Sequence, residues 1–195
     1  MFTSKIETKY DKQDKCDRIC QGDILRDFSF NVAVEDKTTK IGVTTISFPY
    51  IVILSQDCDL EQSYKNDAST EHNQYLPNVL FIPAFPSEDL KEGKHLQNVY
   101  NIVQRKKDKD LWKPIRQNLN ERYHSLTPYP DYQIPDLIID FKLYQTIPTA
   151  SLIDVYESHY LATINELFRE NLSHRFSFFL SRIALPDFKI PIPVS

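Results

Sequence analysis

The chain has 195 residues, a formal net charge of −4, 41% hydrophobic residues and 12% aromatic residues. This length and composition predict one globular domain with a buried core, and no apolar run approaches the roughly 20 residues that cross a bilayer. The acidic balance argues against non-specific coating of nucleic acid, which depends on a basic surface. Only three glycines occur, and none lies in a phosphate-binding GxGxxG or GxxxxGK[ST] motif. ATP and NAD are therefore not expected.

The N-terminal segment is charged and polar. Residues 1–20 lack the apolar core of a secretory signal, which predicts a cytoplasmic protein. Cys16, Cys20 and Cys58 are an odd number of cysteines and do not predict a disulfide framework, in agreement with a reducing compartment. We expect residues 1–19 to form a mobile arm or an edge segment.

The first half of the chain is rich in β-strand patterns. Apolar residues at nearly every second position from Ile24 onward predict a strand with one buried face. Three further β-rich segments follow, at residues 43–56, 75–85 and 137–148. Long excursions between them favour a small barrel over a sandwich. The predicted fold is α+β and mainly β, a single domain over residues 1–195 with barrel strands within 20–86 and 134–150.

The residues between these groups of strands have a helical pattern. Residues 87–126 predict a helical insertion, with one helix near 94–106 and a shorter one near 110–120. The proline-rich stretch at 127–136 predicts an extended connection.

The C-terminal region predicts one more helix. Leu172, Phe176 and Phe179 fall on one face of a helix over residues 171–185. Asn171 or Ser173 would cap its N-terminus, and Pro186 would end it.

The segment Asp57-Cys58-Asp59 follows a buried apolar run and is the first candidate site. A cysteine is nucleophilic as the thiolate, and neighbouring carboxylates disfavour that anion unless a cation approaches. Arg122 and His124 are the candidates for that role, so the predicted catalytic group is Cys58, Asp59, Arg122 and His124. The alternative is that Cys58 is a small buried hydrophobe at a strand end and that the two aspartates make turn hydrogen bonds.

Metal binding is a weaker alternative. Cys58 and His124 with an aspartate would form a zinc set, and so would Cys16, Cys20, Cys58 and His72. Because no second C-x2-C pair accompanies these residues, we expect neither a metal nor another cofactor. The remaining histidines, His95, His159 and His174, are predicted to be packing or surface residues.

Basic residues are concentrated between residues 104 and 122. They are Arg105, Lys106, Lys107, Lys109, Lys113, Arg116 and Arg122. Cations beside exposed aromatic side chains suit phosphate contacts and base stacking on single-stranded nucleic acid. A solvated helical face with ion pairs to Asp108, Asp110 and Glu121 is the alternative. The predicted binding residues are Asp57, Trp112, Lys113, Arg116, Tyr123 and Asp140.

Two resemblances extend this interpretation. "QGDIL", followed by "YIVILSQD" and "NVLFIPAF", resembles the order of core strands in MazF/PemK-type toxins over residues 20–86. The segments "QGDI", "LSQDCDLEQ", "NERYHSL", "LIIDFKLY" and "SHRFSFFLSRIALP" are similar to a group of uncharacterised bacterial proteins with an S/T-x-DCDL motif, over nearly the whole chain.

The first resemblance implies an SH3-like barrel and an RNA-cleaving dimer that binds single-stranded RNA. In those toxins an arginine and a serine or threonine help cleavage. This chain has "FIPAFPSED" where the toxins carry a small-hydroxyl motif, and no arginine can be matched to the catalytic position.

We therefore expect a nucleic-acid- or protein-binding module of PemK-like barrel type, in a toxin–antitoxin or phage-defence setting. Its site is predicted where Cys58, Asp59, Arg122, His124 and Asp140 converge, because sites collect where loops leave a rigid scaffold. The alternatives are an endoribonuclease or a Cys58–His124 enzyme at that place, or a purely structural DCD segment. The apolar C-terminal residues 188–195 would dock on a second copy in a homodimer.

Overall fold

The computed structural model of the protein describes residues 9–11, 18–35, 41–66 and 75–182. The fold is α+β and mainly β, as expected, and consists of one antiparallel sheet curved into a half-barrel with helices against it. The strands are β1 Tyr10–Asp11, β2 Asp23–Glu35, β3 Ile41–Ile53, β4 Asn78–Pro86, β5 Tyr123–Leu126, β6 Leu137–Asp140, β7 Gln145–Pro148 and β8 Tyr160–Ile164. The described helices are α1 Asp57–Asn66, α2 Ser87–Lys91, α3 Gln97–Tyr100, α4 Lys109–Arg116, α5 Thr149–His159 and α6 Glu166–Leu180.

Strand β4 organises the sheet. The strand order is β1-β8-β2-β3-β4-β6-β5, and β7 also pairs with β4. One edge of β4 pairs with β3, while the other edge pairs with β7 near its start and with β6 at its end. Six of its nine residues are buried, which explains why its sequence "NVLFIPAFP" is a nearly continuous apolar run.

The two ends of this strand order meet through side chains. The Tyr10 hydroxyl in β1 donates to the carbonyl oxygen of Thr127, directly after β5, at 2.5 Å. The Lys9 ammonium donates to the Thr127 hydroxyl, also at 2.5 Å. Helix α6 contributes Leu172 and Phe176 to the core that fills the curved sheet at this end. A narrow gap between β1 and β5 is thus closed by side chains and by α6.

The helix expected near residues 94–106 is much shorter. It is confined to α3, because Asn101 adopts a left-handed conformation with φ 54° and ends the helix. The chain then lies alongside α2, where Gln104 N–H donates to the Gly93 carbonyl and Lys107 N–H to the Lys91 carbonyl, both at 2.8 Å. Helix α4 likewise ends before the expected residue 120.

Two other expectations differ from the structure, and one agrees with it in one of its alternatives. Helix α6 begins at Glu166, because Asn165 accepts a capping hydrogen bond there; Pro186 lies outside the described residues. Strand β1 lies at one edge of the sheet, in agreement with the expectation of an edge segment there, and its Tyr10 is only 1% exposed. Strand β5 lies within the expected helical insertion, and β8 falls in a region for which no strand was expected.

A buried carboxylate joins several of these elements. Asp23, at the start of β2, is fully buried and accepts hydrogen bonds from Cys20 N–H at 2.6 Å, the Tyr156 hydroxyl at 2.5 Å and the Thr163 hydroxyl at 2.6 Å. Burial raises the pKa of Asp23 to about 6, although these three donors oppose the shift. The carboxylate therefore links β2, α5 and β8.

This raised pKa predicts a specific pH dependence of stability. Because the folded chain binds the Asp23 proton more tightly than the unfolded chain, Asp23 favours folding more as the pH falls below about 6. Between pH 7.5 and 5, the free energy of unfolding of the wild type should rise by about 1 kcal/mol relative to that of Asp23→Asn. Urea unfolding of both proteins at the two pH values measures this difference. Parallel pH profiles would contradict it.

Candidate nucleic-acid interface and neighbouring sites

The DCD segment is the start of a helix and not a strand-end turn. Asp57 and Asp59 lie in the first turn of α1, where carboxylates are favoured by the helix dipole. Cys58 is exposed, and its sulfur lies 3.7 Å from Gln56 Oε1 and 3.7 Å from Asp59 Oδ1. The interpretation of Cys58 as a buried hydrophobe is therefore wrong.

Asp57 holds three separate segments together. Its carboxylate accepts hydrogen bonds from Arg18 Nη2 at 2.9 Å and from Gln21 N–H at 3.0 Å, and Arg169 of α6 lies 3.7 Å away. Burial opposes ionisation of Asp57, but the Arg18 and Gln21 hydrogen bonds outweigh it and lower the pKa. The Gln21 side chain also bonds Ser173 of α6. The "QGDI" segment, the DCD segment and the C-terminal helix are therefore connected here by hydrogen bonds and ion pairs.

Arg122, directly before β5, and Asp140, the last residue of the neighbouring strand β6, form a separate pair. Arg122 Nε donates to Asp140 Oδ1 at 2.7 Å and Nη2 to Oδ2 at 2.5 Å. Asp140 is fully buried, so the guanidinium compensates a charge that would otherwise be very costly. The structure thus brings these two members of the expected site together.

Cys58 and His124 are placed differently. His124 lies in β5, is 6% exposed and packs 6.3 Å from the Phe141 ring. Burial, followed by the charges of Arg175 and Lys9, lowers its pKa to about 3. In the described part of the chain, the polar contacts of the Cys58 sulfur are with Gln56 and Asp59, and none joins it to His124 or Arg122. Asp59, in the first turn of α1, likewise contacts the Cys58 sulfur and makes no contact with His124 or Arg122 among the described residues.

Several cations around α2 and α4 remain without a carboxylate partner. Lys94, Arg105, Lys109 and Lys113 are exposed, and the described residues give them no ion pair. Lys107 is half-buried, with Nζ 3.2 Å from the Arg105 carbonyl and 3.4 Å from Gln104 Oε1. We call the set Lys94, Arg105, Lys107, Lys109 and Lys113 the basic face.

The backbone brings these cations to one region. Residues 104–107 are bonded to residues 91–93, and this close approach requires Gly93, because a Cβ there would collide with the Gln104 carbonyl. Gly93 also has a φ of 78°, which favours glycine. Lys109 and Lys113 are four residues apart on α4 and share one side of that helix.

Three acidic side chains near the basic face have other partners, whereas Asp110 of α4 is exposed and has no ion pair among the described residues. Glu92 pairs with Lys106 at 2.7 Å, Asp108 caps α4 by accepting from Leu111 N–H at 3.0 Å, and Glu121 lies 3.7 Å from Arg182. Among the described residues, the expected helical ion pairs to Asp108, Asp110 and Glu121 are therefore not formed. Residues 91–116 carry eight lysines and arginines against three acids, in a chain whose net charge is −4.

The expected stacking residues are not freely available. Trp112 is half-buried against the cluster of Leu90 and Ile115, and the cationic groups of Lys91 and Arg116 each lie 6.0 Å from its ring centroid. Arg116 also pairs with Asp136, and Tyr123 is only 5% exposed. Trp112 and Arg116 thus fix α4 in place and are engaged in packing and in an ion pair.

His95, expected to be a packing or surface residue, is a packing residue. It is 5% exposed, its ring lies 5.1 Å from that of Phe85, and neither ring nitrogen has a hydrogen-bond partner. Burial lowers its pKa to about 4, and the charges of Asp140, Lys107 and Arg122 also act on it. His95 therefore lies beside the charged groups between the basic face and β6. Its position depends on long-range packing that no local pattern shows.

No protein-family model matches the chain, and no curated protein is significantly similar to it. Within residues 9–11, 18–35, 41–66 and 75–182, no three His, Cys, Asp or Glu side chains are grouped as metal ligands are; Cys16 and His72 lie outside these ranges. The helices in these ranges include none with the length and apolar character needed to cross a membrane.

The roles of Asp57 and Cys58 can be separated by stability measurements. Asp57→Ala should lower the free energy of unfolding by about 1–3 kcal/mol, because Arg18, Arg169 and the Gln21 amide lose a charged partner. Cys58→Ala should change it by less than about 0.5 kcal/mol, because the side chain is exposed.

Asp59→Ala is the matched control, since it removes a carboxylate from the same helical turn. Chemical denaturation of the three variants tests the assignment. A loss for Cys58→Ala as large as that for Asp57→Ala would contradict the assignment, because the thiol would then stabilise this region as much as the Asp57 carboxylate does.

Proposed function

We propose that this protein is a nucleic-acid-binding module that contacts the phosphates of a single strand through the basic face. The observation that carries the proposal is the separation of charge: an acidic chain concentrates eight basic residues within residues 91–116. Five of these cations lack a carboxylate partner among the described residues. Phosphate contacts of this kind dominate nucleic-acid affinity because they release condensed counterions.

The environment of Lys107 supports the same proposal. Burial lowers the pKa of Lys107 and the neighbouring Arg122 guanidinium lowers it further, while the Asp140 carboxylate opposes the shift in part. A phosphate beside Lys107 would stabilise its ammonium ion and offset the repulsion from Arg122. The exposed side chains of Arg105 and Lys109 would extend the contact along the strand.

The wider setting is part of the proposal. The half-barrel is compatible with the PemK-like barrel that the sequence resembles, so we propose a role in a toxin–antitoxin or phage-defence system. Binding of a protein partner and formation of a homodimer are further predictions that follow from the sequence alone. Endonucleolytic cleavage is the alternative activity, and the binding experiment below detects it directly.

Fluorescence anisotropy with a labelled single-stranded RNA tests the basic face. The logarithm of the association constant should fall linearly with the logarithm of the salt concentration. Lys109→Gln/Lys113→Gln should weaken binding on the order of tenfold at low salt and reduce the slope by about 1.4, which corresponds to two lost phosphate contacts.

Arg26→Gln/Lys65→Gln is the control, because it removes the same charge from β2 and α1. Equal weakening by the two double variants, or no binding by the wild type at low salt, would overturn the proposal. Gel analysis of the RNA after incubation distinguishes binding alone from cleavage. Cleavage that survives in Cys58→Ser and His124→Ala would exclude that pair as the catalytic group.

A further inference from the structure

A second site lies in the gap between β1 and β5. A cavity of about 370 Å³ opens there, where the half-barrel is closed by side chains and α6. Its apolar wall includes Leu126, Ile164 and Phe168, and its polar groups include His124, Thr127 and Asn171. Such a mixture of an apolar wall and a few polar groups is typical of small-molecule sites.

The polar side of the cavity contains unsatisfied groups. His124 is 6% exposed, and its Nδ1 is buried without a hydrogen-bond partner. Asn171 is exposed on α6, and the described residues provide no hydrogen bond to its side-chain amide. Buried polar atoms are normally paired, so the His124 imidazole can bond a ligand that reaches it without losing an existing contact, and the exposed Asn171 amide is open to the same ligand.

The charges around the cavity are positive. Lys9 lies at its edge, and among the described lining residues there is no carboxylate. Beside His124, Arg175 donates only to carbonyl oxygens, those of Asn118, Asn120 and Tyr123, at 2.5, 2.7 and 2.9 Å. Burial, and to a smaller extent the charges of Arg175 and Lys9, disfavour the protonated form of His124. The imidazole is therefore neutral, and the region has positive charge without a matching anion.

We propose that this cavity binds a small organic anion, in which a phosphate or carboxylate group is attached to a compact apolar or ring-shaped body. Lys9 and the side-chain amide of Asn171 contact the anionic group, and the imidazole of His124 donates an N–H to it. The body of the ligand packs against Leu126, Ile164 and Phe168. This site is separate from the basic face and does not depend on the proposed nucleic-acid binding.

Isothermal titration with phenyl phosphate and benzoate at millimolar concentrations tests the site, with benzyl alcohol as the uncharged probe of similar size. We expect both anions to bind at least about tenfold more tightly than benzyl alcohol, because the ring is common to the three probes and the charge is not. Inorganic phosphate, which lacks the body, should bind more weakly than phenyl phosphate.

Two variants locate the binding. Asn171→Trp places a large side chain at the exposed edge of the cavity and should weaken phenyl phosphate binding by at least about tenfold. Lys9→Gln removes the nearest ammonium and should weaken it about threefold to tenfold. Both positions are exposed, and circular dichroism checks the fold; if Asn171→Trp does not fold, Lys9→Gln decides.

The control is Lys109→Gln/Lys113→Gln on the basic face, which should bind phenyl phosphate as the wild type does. The proposal is overturned if the anions do not bind, if benzyl alcohol binds equally well, or if the folded cavity variants bind normally. Weakening by the basic-face variant alone would assign the anion to that face instead.

Discussion

The arrangement of the sheet depends on one buried carboxylate, that of Asp23. An ionised side chain without water must be hydrogen-bonded or it costs several kcal/mol. Its donors come from the segment before β2, from Tyr156 of α5 and from Thr163 of β8. These elements must therefore be in place together, and the pairing of β2 with β8 is coupled to the packing of α5. Asp57 couples α6 to the same part of the molecule.

Arginines and lysines have different uses in this protein. Arg122 and Arg175 turn their guanidinium groups inward, where each makes several hydrogen bonds at once to a carboxylate or to backbone carbonyls. The planar, multidentate guanidinium suits such contacts, whereas the compact lysine ammonium remains strongly hydrated. Most of the free positive charge at the surface is therefore carried by lysines, and a count of basic residues overstates how many can meet a ligand.

The sequence was informative where a pattern was long. The alternation from Ile24 onward and the apolar run of β4 identified their strands, and the face carrying Leu172 and Phe176 identified α6. Short elements such as β1 and β5 carry too few residues for a period to appear. The apolar spacing favoured a helix near residues 94–106, but the left-handed conformation of Asn101 ends α3 after Tyr100. Of the five residues expected to converge, Arg122 and Asp140 lie in direct contact, but their ion pair was not itself anticipated.

The cavity near His124 could not be anticipated in the same way, because its walls come from positions as distant as Lys9, His124 and Asn171. A similar distance separates β2 from its neighbour β8, since Asp23 and Thr163 are 140 residues apart. During synthesis on the ribosome, the edge of β2 at Asp23–Leu25 has no strand partner until nearly the whole chain has emerged. An unpaired edge is prone to intermolecular association, so a prematurely terminated chain ending before β8 would be a substrate for chaperones or proteases.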